Sequence, residues 1–71
     1  MNPEEFIEKY GIRNAILKIE LANQGYNVTR NFESLANKLE YRWLPILGVW
    51  VNTNTKFETE EEEKFFKSNM L

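Results

Sequence analysis

The sequence predicts an α+β fold: a small, mostly helical single domain over residues 1–71, in the order helix–helix–β-hairpin–helix. Three observations lead there. Asn2-Pro3-Glu4-Glu5 opens a long stretch with apolar residues at three- and four-residue spacing. After Pro45 the period shortens to that of a strand. Thr59-Glu60-Glu61-Glu62 is then a capping box, announcing a last helix. The alternative is an all-α chain with residues 49–57 as irregular loop.

Each element has its own signal. Asn2 is a good N-cap, Pro3 suits the first helical position, and Glu4 and Glu5 complement the positive end of the helix dipole. Phe6, Tyr10, Leu17 and Leu21 form one stripe, with Ile12, Ile16 and Ile19 beside it. The first helix is therefore expected over residues 3–23, with a kink or short loop at Gly11 and a C-terminal cap at Gly25. Apolar residues on two adjacent faces mark the part after Gly11 as the central helix.

The second helix is expected over residues 31–43, with Phe32, Leu35, Ala36, Leu39 and Trp43 inward and Pro45 ending it. The hairpin is expected over residues 47–58: Leu47-Gly48-Val49-Trp50-Val51 as first strand, Asn52-Thr53-Asn54-Thr55 as turn, and Lys56-Phe57-Glu58 returning. The last helix is expected from Glu60 to about Asn69.

Composition excludes several chemistries. The chain has 71 residues with no cysteine and no histidine, and all eleven acids are glutamate. Disulfides and zinc sites built on thiolate or imidazole are ruled out. Gly11, Gly25 and Gly48 are isolated and form no phosphate-cradling loop. The glutamates of 60–63 point to different sides of a helix and cannot share one coordination shell. No enzyme, cofactor or metal site is expected. The apolar run 43–51 is about half of the ~20 residues that a membrane span requires. The acidic opening lacks the pattern of an export signal, so a cytoplasmic setting is expected, with no membrane partner.

The net charge is −2, and it is uneven. Residues 1–56 carry seven Lys/Arg against six Glu, whereas residues 57–71 carry two Lys against five Glu. A near-neutral body, an acidic end and abundant aromatics predict a regulatory protein that works by protein–protein contact, as an inhibitor, an antitoxin-like protein or an assembly adaptor. The partner-binding residues expected are Tyr41, Arg42 and Trp50. Tyr, Arg and Trp are enriched at interface hot spots. Strand alternation turns Trp50 outward if Val49 and Val51 face the core, while Trp43 is expected inside. A chain this short, without metal or disulfide, also gains stability by self-association.

A second reading rests on residues 28–39, Val-Thr-Arg-Asn-Phe-Glu-Ser-Leu-Ala-Asn-Lys-Leu. This stretch resembles the first helix of a helix-turn-helix unit, where a Thr cap precedes a Leu-Ala-x-x-Leu core. The resemblance implies DNA binding, with Arg30, Lys38 and Arg42 on phosphates and the hairpin as a wing. The sequence departs from that pattern at Glu40, where a turn glycine is usual, and at Pro45, which interrupts the following helix.

Overall fold

In the computed structural model, residues 2–70 are described. Helix α1 spans Pro3–Tyr10. Asn2 Oδ1 accepts the Glu4 N–H at 2.8 Å, so the predicted cap forms. The helix stops at Gly11, and the predicted 3–23 helix is split in two. The next residue, Ile12, exchanges both backbone hydrogen bonds with Trp50, each 2.8 Å. Its amide and carbonyl serve the sheet instead of a helix. Glycine is needed beside this junction for space: a Cβ at position 11 would lie 2.8 Å from the Ile7 carbonyl oxygen and 3.0 Å from Val49 Cγ2.

Helix α2, Asn14–Asn23, ends as expected, with Gly25 in the left-handed region at φ 95°. An Asx turn follows, with Thr29 donating from N and Oγ1 to Asn27 Oδ1. Helix α3 is Phe32–Lys38, so the predicted 31–43 helix is five residues too long at its C-terminus. Glu40 takes φ 70° and turns the chain, and its carbonyl accepts Thr53 N–H at 2.8 Å and Thr53 Oγ1 at 3.0 Å. From there the backbone is committed to a β ladder.

The hairpin consists of β1, Tyr41–Leu44, and β2, Val49–Asn52, antiparallel and in the register Arg42↔Val51, Trp43↔Trp50. It lies over residues 41–52, not 47–58. Pro45 is the second residue of its turn, where φ near −65° is favourable. Leu47 and Gly48 N–H both reach the Leu44 carbonyl, and Gly48 supplies a φ of 67°. The predicted turn at 52–55 closes β2 instead, with Asn52 Oδ1 accepting Asn54 N–H at 2.8 Å. Residues 56–58 form no strand, and Phe57 packs into the core. Helix α4, Glu60–Asn69, carries the full capping box between Thr59 and Glu62. The fold is α+β, with three helices before the hairpin and one after.

The hairpin lies between two helical layers. On one face Phe6 of α1 and Phe66 of α4 pack on Leu44, Val49 and Val51. On the other, Leu17 and Leu21 of α2 and Phe32 and Ala36 of α3 pack around Trp50. Strand β2 is thus buried on both faces. This overturns the expected orientations: Trp50 is 2% exposed, while Trp43, near the open edge, is 39% exposed.

Candidate binding surface

The three residues predicted to meet a partner do not form one surface. Trp50 is interior. Its indole stands edge-on to Phe32 at 5.7 Å between ring centroids, and its Nε1–H donates to Asn14 Oδ1 at 2.8 Å. A hydrogen-bonded, fully enclosed indole has no face left for a partner. Tyr41 is half-buried against the same cluster. Arg42 is exposed, on the opposite face of β1.

Arg42 has a structural task. Trp50 directs its amide and carbonyl at Ile12, so its cross-strand neighbour Trp43 turns its own amide away from β2, toward the open edge. Tyr41 does the same two residues earlier. The Arg42 guanidinium folds back to donate to the Tyr41 carbonyl at 3.0 Å and to the Asn37 carbonyl of α3 at 3.2 Å. It occupies an edge carbonyl that another strand would use, and Pro45 ends the edge immediately after Leu44.

Arg30 precedes α3 and Lys38 is its last residue, and both are exposed. Between them α3 turns Ser34 and Asn37 to solvent, and Lys38 lies next to the carbonyl that holds Arg42. Beside the start of α3, Lys18 of α2 places its ammonium 5.2 Å from the Phe32 ring centroid. A shallow groove here is lined by Asn14, Lys18, Asn31, Phe32, Glu33 and Ser34.

The charge is segregated by layer. Residues 11–55 hold five Lys/Arg against three Glu, and residues 2–10 with 56–70 hold four Lys against eight Glu. The α2–α3–hairpin part therefore carries +2 and the α1–α4 part −4 in side-chain charge.

The acidic layer contains the most perturbed titratable groups. Lys9 Nζ donates to Glu58 Oε2 at 3.0 Å and to Glu62 Oε2 at 3.1 Å. These two hydrogen bonds, reinforced by the charges of both carboxylates, raise the Lys9 pKa against an opposing desolvation. Burial pushes the Glu62 carboxyl up. Hydrogen bonding to Lys9, the Lys9 charge, and hydrogen bonds with Tyr10 and Thr59 outweigh it, so Glu62 is held below its ordinary value. The cluster ties α1 to α4 and explains how a glutamate sits 4% exposed without an orphaned oxygen. Among the described residues no three His, Cys, Asp or Glu side chains converge to hold a metal ion. No described helix is long and apolar enough to cross a membrane.

No protein family, curated protein or solved structure matches this chain.

The surface that sequence reasoning missed is the outer side of α2. Ile16 is 51% and Ile19 58% exposed, although both are read from the sequence as part of a two-faced core helix. Leu17 and Leu21 take the inward side, and at 100° per residue Ile19 lies nearly opposite them. Ala15, Ile16, Ala22 and Asn23 flank Ile19, all exposed, and none is charged. The signal is in the sequence: between Arg13 and Gly25, residues 14–24 contain only Lys18 and Glu20 as charges. A surface helix normally has its charges opposite the core.

Proposed function

We propose that the protein acts by binding another protein, as a non-catalytic regulator or adaptor of the cytoplasm, and that the outer face of α2 is its principal contact. The observation that carries this reading is the exposure of Ile16 and Ile19 on a helix side without charge. Contiguous exposed apolar residues mark interaction surfaces more often than solitary ones do. Tyr41 and Arg42 lie on opposite faces of β1 and are not part of this surface. The test is affinity capture from native host extract with wild-type and Ile19→Glu baits. One stoichiometric protein held by the wild type and lost from the variant is expected; equal capture by both would move the contact elsewhere.

Nucleic-acid binding is a second reading, favoured by the segregation of charge. The stretch read as the first helix of a helix-turn-helix unit, α3, is followed by strand β1 and not by a second helix, so the helix pair directly before the hairpin is α2–α3. The acidic residues concentrate in the layer that packs on the other side of that hairpin. The eight-residue connection 24–31 is longer than the three- or four-residue turn usual in that motif. If Arg30, Lys38 and Arg42 each neutralise one phosphate, log K falls with log salt at a slope of about −2.7. Fluorescence anisotropy with generic duplex at two salt concentrations measures it. Absence of binding at low salt rejects the reading.

A further inference from the structure

We propose that a second copy of this chain covers the outer face of α2, the two α2 helices packing antiparallel about a two-fold axis beside Ile19. This rests on the reading that α2 is a protein-contact surface, and it names the partner.

The face is built for a helix. Ala15, Ile19 and Ala22 follow one another at four- and three-residue spacing along the side opposite Leu17 and Leu21, with Ile16 and Asn23 beside them. Past Gly25, Tyr26 is also exposed, at 40%. Alanines permit two helix axes to approach within about 8–10 Å, and the isoleucines supply the apolar surface to be buried. The two charged residues of α2 stand at the borders of the strip, and Lys18 is already turned toward Phe32 of its own chain.

The identity of the occupant follows from complementarity. A surface without charge has nothing with which to select an acidic or basic partner. It does match itself. With Ile19 opposite Ile19 in an antiparallel pair, Ile16 stands opposite Ala22 of the second copy, and Ala15 opposite Asn23. Large side chains meet small ones on both sides of the axis, as interdigitated packing requires. A two-fold contact also closes on itself, leaving no open end for further copies.

Area sets the strength. Covering α2 buries ~500 Å² per copy, near the lower limit of specific interfaces, so the dimer is weak and reversible. Both facing halves are positive, so added salt tightens the dimer by screening, the reverse of its effect on phosphate binding.

Sedimentation equilibrium tests this. The wild type is expected to move from 8.5 kDa toward about twice that mass as concentration rises from ~5 to ~500 µM. Ile19→Glu, at a position 58% exposed and thus with an unchanged circular dichroism spectrum, is expected to stay at 8.5 kDa. The absence of cysteine permits an independent check: Ile19→Cys should form a disulfide-linked dimer under mild oxidation, and Asn54→Cys should not. A wild type that remains monomeric, a dimer that survives Ile19→Glu, or equal cross-linking of the two cysteine variants overturns the proposal. A monomer that still loses a captured host protein on Ile19→Glu overturns the second copy while the protein-contact reading stands.

Discussion

At the scale of the residue, the two tryptophans differ more than their cross-strand pairing suggests. Their rings are 5.3 Å apart, yet Trp50 is enclosed by Phe32, Leu17 and Leu21, whereas Trp43 has solvent on its far side. Truncating a fully buried Trp costs about 3–5 kcal/mol. A chain of 71 residues has roughly 4–10 kcal/mol in total. Trp50→Ala is therefore expected to be unfolded, or nearly so, at 25 °C. Trp43→Ala loses the covered part of the ring as well as the contact with Trp50 and should cost about 2 kcal/mol, less than the truncation of Trp50. Urea titrations followed by circular dichroism rank the two, and the opposite order would contradict the placement. This order reverses the one that the sequence predicts, and the reason is physical. Alternation in Val49-Trp50-Val51 separates two faces, but it does not say whether water or a second helical layer lies beyond either. The helices α2 and α3 supply that second layer, and no local pattern in the strand encodes it.

Among the elements, the ends that were legible in sequence are those fixed by side chains within a few residues. Asn2 with Pro3, and Thr59 with Glu62, cap their helices as expected because each bond is local. The end of α3 was not legible. The spacing Leu35, Leu39, Trp43 continues a helical stripe across it, and the residue that breaks the stripe is a glutamate in the left-handed region, at φ 70°. That conformation costs an L-residue roughly 1–2 kcal/mol, and glycine avoids it. Glu40 offsets part of the cost by accepting a hydrogen bond from Asn54 Nδ2 at the exposed surface. Glu40→Gly is expected to raise stability by about 0.5–1 kcal/mol, seen as a higher urea midpoint at unchanged slope. A lower midpoint would mean that the Asn54 bond outweighs the backbone strain. The misplaced hairpin has the same origin: with α3 overextended, Pro45 reads as a helix stop rather than the second residue of a tight turn. The α2 surface went unrecognised for a related reason. A short helix with apolar residues on every side looks like a buried one until the layers around it are known.

For the whole molecule, the hairpin holds two layers of opposite charge, and in the acidic layer Lys9 sits between the carboxylates of Glu58 and Glu62. Lys9 draws Glu58 on the approach to α4 and Glu62 within it toward α1, beside the aromatic contact of Phe6 with Phe65 at 4.9 Å. With no histidine or cysteine in the chain, no side chain has an ordinary pKa between 5 and 8. Thermal stability is expected to be flat through that range and to fall outside it in two separate limbs. Glu62 is depressed in the folded state, so the unfolded chain takes up protons first as pH falls. Its contribution is complete above the ordinary value of 4.5 and is lost as pH drops from there through the folded value. Lys9 is raised in the folded state, so its contribution is complete below the ordinary 10.5 and is lost as pH climbs beyond. Glu62→Gln separates charge from cap, because glutamine still accepts the Thr59 amide in a capping box. The variant is expected to melt lower than the wild type at pH 7 and to show a shallower decline below pH 4.5, bringing the two melting curves together in acid. Differential scanning calorimetry from pH 2 to pH 8 reads this directly. Parallel acid limbs in the two proteins would mean that the Lys9–Glu62 pair is not what fastens α4 to α1.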